Sequence, residues 1–383
     1  MLQFGDEEIR AVEAVAKSGQ IFRYRKGGQC ERFENRLARF LKAKHVGLAS
    51  SGSTALAAAL GALGVGPGDE VIVPAHTYMA TAVAVLAVGA IPVIVDVDEC
   101  ATLDADALSD AAGRRTKAVV PVHMWGTVCD MDAIMRVARR KKLYVVEDAC
   151  QCVGGGYEGR KVGGIGHLGA FSFNYFKTIT CGEGGAVVTS NEAWFKRARC
   201  MIDCCAFFWS GRREDFQPFA AVGARASEFE GAMLNAQFDR LPGLLGKLRR
   251  IKKAVIRRTG RKLYSPPSHS SDYECATNVF YQFPDAERAK KFAAALGATI
   301  LVNTGRHTYT EWDPVLNHQG AHHPAMNPFL MPQNKGCRMK YSKDMCPRSL
   351  DLLQRTVMIH LSPHWSDEQV AGLVTRILAA SGV

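Results

Sequence analysis

The segment FSFNYFKTITCGEGGAVVTS, residues 171–190, sets a single lysine, Lys177, between two apolar, strand-like runs and beside a Gly-Glu-Gly-Gly turn. Lysines are usually solvated, so an ordinary loop lysine is one reading. An amine held in a cleft to form a Schiff base is the other. The surrounding chain has to separate them, because the second reading demands a sheet edge and a set of partners around that amine.

Working outward, residues 30–240 alternate between strand-like and helix-like segments. CERFENRLARFLKAKH repeats apolar residues at Phe33, Leu37, Phe40 and Leu41, one face of a helix. VGLAS then reads as a buried strand running into SGSTALAAALGALG, a helix that ends in glycine. VIVPA, IPVIVDV, KAVVPVHMW, LYVVEDA, GAFSFN and GGAVVTS follow as strands, most of them separated by helix-length pieces. Val/Ile runs without polar alternation belong to strands covered on both faces, and their alternation with helices predicts a largely parallel α/β sheet. Ligands of such sheets bind at the carboxyl ends of the strands.

Past about residue 244 the character changes. A basic helix (residues 247–262) leads to YSPPSHSSDYE, a Pro- and Ser-rich linker or surface loop. Beyond it come the strand NVFYQF, the helix DAERAKKFAAALG, a long polar region at residues 304–348 and a terminal helix from Asp367. A chain of 383 residues exceeds the usual size of one growing core, which predicts a large N-terminal domain over residues 1–245 and a smaller α+β domain over residues 246–383.

Composition narrows the partners. The net charge of +11 is spread over short, dispersed groups such as RVARRKK and KLRRIKKAVIRR, with no nucleic-acid module signature. It suits small anionic substrates better. No apolar run is long enough to span a membrane, and the acid-bearing start lacks the apolar centre of a signal peptide, so a cytoplasmic enzyme is expected. The twelve cysteines are scattered: Cys150 and Cys152 are one residue apart and Cys204 and Cys205 adjacent, spacings that suit neither a zinc ribbon nor a disulfide framework. His322 and His323 read as part of a polar loop, and no metal is expected.

Four places carry chemistry. SSGSTAL, residues 50–56, puts Gly and hydroxyl residues between a strand and a helix, which suits either an anion site or simple N-capping by Ser53. VVEDACQ ends a buried strand with Glu147 and Asp148, a carboxylate position fit for a protonated ring nitrogen, a metal or a ribose hydroxyl. Tyr78 follows another strand, where its ring either stacks on a planar cofactor or packs internally. Lys177 completes the set. A phosphate clamp, a carboxylate, an aromatic plate and a Schiff-base lysine together ask for pyridoxal 5'-phosphate, in the order found in the aspartate-aminotransferase-like fold (fold type I).

Nearly the whole chain also resembles the DegT/StrS sugar aminotransferases. The likeness is carried by SSGSTAL, GVGPGDEVIVPAHTYMATAVAVLAVGAIPVIVDVD, PVHMWG, VVEDACQ and FSFNYFKTITCGEGGAVVTS, and continues through ASEFEGAMLNAQFDRL, HTYTEWDPVL and DMCPRSLDLLQRTVMIHL. The resemblance implies transfer of an amino group from glutamate or glutamine to a keto-sugar, in amino-sugar or natural-product biosynthesis, by a homodimer with shared active sites. It places the Schiff-base amine on Lys177, the ring-nitrogen contact on Asp148, the ring stack on Tyr78, phosphate contacts on Ser53, Thr54 and Ser172, and Gln151 beside the ring. It points to His307, Tyr309 and Trp312 as part of the substrate pocket, and to an eight-carbon keto-sugar, cyclitol or nucleotide-activated sugar as acceptor. Relatives that dehydrate the sugar carry histidine at the position of Lys177, so lysine favours transamination. In VGARASE, Gly223 stands where many members have an asparagine that reaches the partner's cofactor phosphate, with Arg225 in register. A cofactor-binding sensory protein and a pyridoxal-dependent lyase or aldolase are the alternatives on the same scaffold.

Overall fold

A computed structural model describes residues 4–203, 206–207 and 217–382; Cys204 and Cys205 lie outside them. Two helices, α1 (Asp6–Ser18) and α2 (Gln29–Leu41), precede the sheet. There follow β1 (His45–Ala49), α3 (Gly52–Ala62), β2 (Glu70–Pro74), α4 (Ala80–Ala87), β3 (Ile91–Val95), α5 (Ala105–Ala111), β4 (Thr116–Val119), α6 (Met131–Lys141) and β5 (Tyr144–Asp148). A tight hairpin of β6 (Gly156–Tyr157) and β7 (Arg160–Lys161) leads to β8 (Leu168–Ser172), β9 (Gly185–Thr189) and α7 (Glu192–Ile202).

These strands form a seven-stranded sheet in the order β1-β9-β8-β5-β4-β2-β3. Strands β2, β3, β4, β5 and β8 pair in parallel, while β9 runs antiparallel to both β8 and β1. The exception has a local cause. The β8–β9 connection, which carries Lys177, holds no helix, and a parallel return would need a crossover. Every residue of β2, β3, β8 and β9 is buried, as expected for Val/Ile strands sandwiched between helices.

The helix α8 (Glu228–Thr259) opens on a capping box between Ser227 and Glu230 and runs without interruption past Pro242. It joins two cores. Leu234, Leu241 and Leu245 pack under the large sheet, whereas Leu248 and Val255 pack with the small one. Proline removes one helical hydrogen bond; burial on both sides of it holds the rod together. The basic residues of this helix are tied down in part, since Lys252 is buried against Glu274 at 2.5 Å and Lys253 meets Asp272 at 2.5 Å.

The C-terminal elements are β10 (Asn278–Gln282), α9 (Ala286–Leu296), β11 (Thr299–Ile300), the short α10 (Asp313–Leu316), α11 (Pro347–Gln354), β12 (Thr356–His360) and α12 (Asp367–Ala380). Strands β10, β12 and β11 make an antiparallel sheet in that order. The polar region at residues 304–348 does not stay with this small sheet. Its apolar residues Tyr309, Trp312, Val315, Phe329, Cys337 and Cys346 join the core beneath α3 and α4, and Arg338 bonds Glu70 at the start of β2. Among the described residues no helix is long and apolar enough to cross a membrane.

Candidate active site

Strands β1, β2, β5 and β8 point the same way, so residues 50–54, Tyr78, Asp148 and the Lys177 loop all emerge at one edge of the sheet. At the start of α3 the cap is Ser51, not Ser53: Ser51 Oγ accepts the Thr54 N–H at 3.1 Å. Ser53 therefore sits free of capping duty, exposed in the first turn of a helix that carries no acid there. Two glycines let this turn dock. A Cβ on Gly52 would fall 2.8 Å from both Ser172 Cβ and Cys150 Sγ, and one on Gly185 would fall 2.3 Å from the Ser51 carbonyl. The fold thus brings Ser53, Thr54 and Ser172 around one helix N-terminus, where backbone N–H groups and the helix dipole favour an anion.

Asp148 ends β5 and is only 4% exposed. Its Oδ2 accepts from Thr81 Oγ1 at 2.8 Å and its Oδ1 from the Cys150 N–H at 3.1 Å. Thr81 in turn is within 2.7 Å of Thr77 Oγ1. Donors on both oxygens fix the orientation of the carboxyl group. Its sequence neighbour Glu147 plays a different part: it is fully buried and accepts from Gly163, Ile165 and Gly166 N–H groups, with His123 Nε2 at 3.1 Å. Glu147 holds the loop before β8 and does not reach the edge.

Lys177 is half-buried on a pinned turn. Its N–H donates to Asn174 O, Tyr175 N–H donates to Gly182 O, and Asn174 Nδ2 donates to Glu183 Oε1 at 2.8 Å. The lysine charge is felt on both sides of the cleft. Burial holds the His307 imidazole below its ordinary range, and the nearby Lys177 charge lowers it further. The Cys150 thiol is pushed well up by burial and by the Asp148 charge, with Lys177 opposing.

An aromatic wall faces these groups. The Tyr78 ring lies 5.2 Å from His307, whose ring lies 4.5 Å from Trp125. His307 Nδ1 donates to Thr304 O at 3.0 Å, which leaves Nε2 as an acceptor. Gln151 Oε1 accepts the Trp125 N–H at 3.2 Å, and Trp125 Nε1 donates to His76 Nε2 at 3.0 Å. Of the three pocket residues expected in the tail, only His307 is at the wall. Tyr309 and Trp312 are fully buried in the core. Tyr309 Oη donates to Lys343 O, and Trp312 Nε1 donates to Arg306 O, so their polar atoms are consumed internally. They set the position of Arg306 and His307 from behind.

Trp125, Thr81 and His76 belong to the site and were not singled out from the sequence. Thr77 lies in the turn before α4 and Thr81 in its first turn, so no periodic spacing in the sequence marks their meeting. Gly223 is exposed with nothing near a would-be Cβ, while Arg225 lies 3.6 Å from Asp203 and bridges Ala49 beside the anion turn.

The profile of the DegT/DnrJ/EryC1/StrS aminotransferase family matches residues 3–378. The chain belongs to this family. It is 38% identical over 242 residues to the GDP-perosamine synthase of Caulobacter vibrioides, an alignment covering 61% of this chain and 63% of that protein. It thus spans less than two thirds of that curated relative. It is 30% identical over 376 residues to the L-glutamine:2-deoxy-scyllo-inosose aminotransferase of Streptomyces paromomycinus, covering 94% of this chain and 88% of the relative. Among solved structures, DesV of S. venezuelae in complex with a ketimine intermediate superposes with a TM-score of 0.78 at 28% identity, over 98% of this chain and 95% of that one. The fold is that of the pyridoxal-phosphate aminotransferases. This family member's residues fit the cofactor on their own chemistry: a glycine-lined cradle at a helix N-terminus for the phosphate, a doubly bonded carboxylate for the ring nitrogen, and an amine whose charge reaches both walls of the cleft.

Proposed function

We propose that this chain is a pyridoxal-phosphate-dependent aminotransferase that moves an amino group from glutamate or glutamine to a keto-sugar in amino-sugar or natural-product biosynthesis. The acceptor class extends over nucleotide-activated sugars, eight-carbon keto-sugars and cyclitols. The observation that carries this reading is the convergence of Asp148 and Lys177 on the edge that also holds the open first turn of α3. A loop lysine with no role would leave that carboxylate, that turn and the Tyr78–His307 wall unrelated.

The geometry supports the following roles. Ser53, Thr54 and Ser172, with the N–H groups of α3, would hold the cofactor phosphate, and Tyr78 would lie against the ring beside Gln151. When bound, the cofactor supplies an electron sink for a carbanion on the amino carbon. Asp148, oriented by Thr81 and the Cys150 N–H, would face the ring nitrogen and would hold a proton there. Lys177 would hold the cofactor through its amine and would move a proton from and to the donor's α-carbon as general base and acid. His307, neutral through burial, presents Nε2 as an acceptor to a substrate hydroxyl.

We further propose a homodimer with shared sites. Phe176 beside Lys177 is 79% exposed, and Tyr175, Val222, Ile21 and Phe22 are also open, a surface that a second copy would cover. Free cysteines among the described residues suit the cytoplasm. We divide the chain into residues 1–245 and 246–383, with α8 crossing between the two cores.

The test is optical and covalent. The purified yellow protein should lose its visible band on adding glutamate or glutamine and regain it with a keto-sugar, in ping-pong kinetics. Borohydride reduction and peptide mapping should locate the tagged cofactor on Lys177. A band unchanged by either donor would mark a cofactor-binding sensor, and amino-acid fragmentation without a keto-sugar would mark a lyase.

A further inference from the structure

A second cluster of reactive side chains, none of them among the cleft residues described above, lies where the turn after β3 meets the loop between α8 and β10. Asp98, Cys100 and His269 bring a carboxylate oxygen, a sulfur and an imidazole nitrogen within 4.8 Å of one another. His269 Nε2 lies 2.7 Å from Asp98 Oδ2. The Cys100 Sγ lies 2.6 Å from the Pro267 carbonyl oxygen, which brings a fourth donor atom beside the cluster. Cys100 is 6% exposed, while the Asp98 and His269 side chains keep about a fifth and a quarter of their surface open.

We propose that Asp98, Cys100 and His269 form a divalent-metal site of zinc type that staples the inter-domain loop to the large sheet. The donor set is the argument. Zinc takes sulfur at about 2.3 Å and nitrogen or oxygen at about 2.0–2.2 Å in tetrahedral array, so its ligand atoms stand roughly 3–4 Å apart. These three donors need only small shifts to reach that spacing, chiefly the opening of the His269–Asp98 contact. An ion pair between those two residues would not call for a thiol beside both. The carboxylate is already oriented from outside the donor set: Thr102 donates its N–H to Asp98 Oδ1 at 3.0 Å and approaches Oδ2 with its hydroxyl at 3.0 Å. Such outer partners fix ligating carboxylates in known sites. Water through the open side, or the Pro267 carbonyl, completes four-coordination. Binding requires loss of the Cys100 thiol proton to solvent, with no change of oxidation state.

The test uses the cofactor-loaded enzyme, stripped with a chelator and titrated with zinc chloride. Metal content and native mass spectrometry should show one zinc per chain, absent in Cys100→Ser and in His269→Gln. Zinc should raise the melting temperature of the parent protein only, while the visible-band response to glutamate or glutamine stays the same in all three. Should a variant fail to fold, alkylation of Cys100 in the parent protein decides: zinc should slow it at least about tenfold by occupying the thiolate. No zinc retained at micromolar free metal, equal retention in the variants, or alkylation indifferent to zinc would each overturn the site. None of these outcomes bears on the aminotransferase reading.

Discussion

Thr81 Oγ1 donates to Asp148 Oδ2 at 2.8 Å from the first turn of α4, fixing the carboxylate from a different strand-loop than the one that carries it. A hydrogen bond to a charged acceptor is worth about 1.5–3 kcal/mol. Thr81→Val should therefore lower kcat roughly tenfold to a hundredfold while the protein still binds cofactor. Asp148→Asn should cost more, at least about a hundredfold, as the proposed role of this carboxylate in holding the ring-nitrogen proton requires. Single-turnover absorbance with glutamate or glutamine measures both. Unchanged rates in Asp148→Asn would remove this carboxylate from the chemistry.

Lys177→Ala should stop turnover and leave the circular dichroism spectrum intact, since the turn is held by backbone bonds around Asn174 and Gly182 and not by the lysine side chain. Near-normal rates in this variant would transfer the amine's role elsewhere.

Gly185 sits under the anion turn, where a Cβ would come within 2.3 Å of the Ser51 carbonyl and 2.7 Å of the Gly52 nitrogen. Those are backbone atoms and cannot swing aside. Gly185→Ala should therefore displace the start of α3 and weaken cofactor binding about tenfold or more, the equivalent of one charge-assisted hydrogen bond. Equilibrium dialysis of the cofactor, with chemical denaturation as a control on global stability, separates a displaced phosphate cradle from general unfolding.

The periodicity that marks buried strands made the sheet legible, and the position of Asp148 and Lys177 just after such strands made the edge legible. What escaped depends on contacts between distant segments. Ser53 and Ser51 are equivalent as capping residues in the sequence; only the helix start chooses between them. Tyr309 and Trp312 share a segment with His307, yet side-chain direction sends two of them into the core and one to the cleft. Pro242 suggests a break in α8, and two cores on either side of it override the suggestion. Asp98 and His269 lie far apart in the chain, so their meeting carries no local spacing.

Gly223 has open space around it and no left-handed backbone requirement, so an asparagine can be accommodated there without strain. If two copies share their sites, Gly223→Asn should tighten cofactor retention on the order of tenfold, one added hydrogen bond to an anion. The effect should vanish on dilution below the dimer dissociation point. Cofactor loss on dialysis at high and low protein concentration checks it, and retention equal to the parent at both would exclude this position from the partner's site.

His76 gives the fold a pH limit. It is fully buried behind Trp125, accepts that indole N–H on Nε2, and its Nδ1 has no partner among the described residues. Burial, reinforced by the neighbouring His307 ring, holds its pKa down at about 3, against 6.5 unfolded. The unfolded chain therefore takes up a proton below pH 6.5 that the folded chain refuses. The His76 contribution is complete above pH 6.5 and is lost as pH falls toward 3. Between pH 6.5 and 5 the loss should be about 2 kcal/mol, from roughly 1.4 kcal/mol per unit. His76→Gln keeps an acceptor for Trp125 and carries no titrating group, so its stability should fall less over that interval. Urea unfolding of both proteins at pH 7.5, 6 and 5 measures the difference; parallel losses in the two would show that other groups set the acid limit.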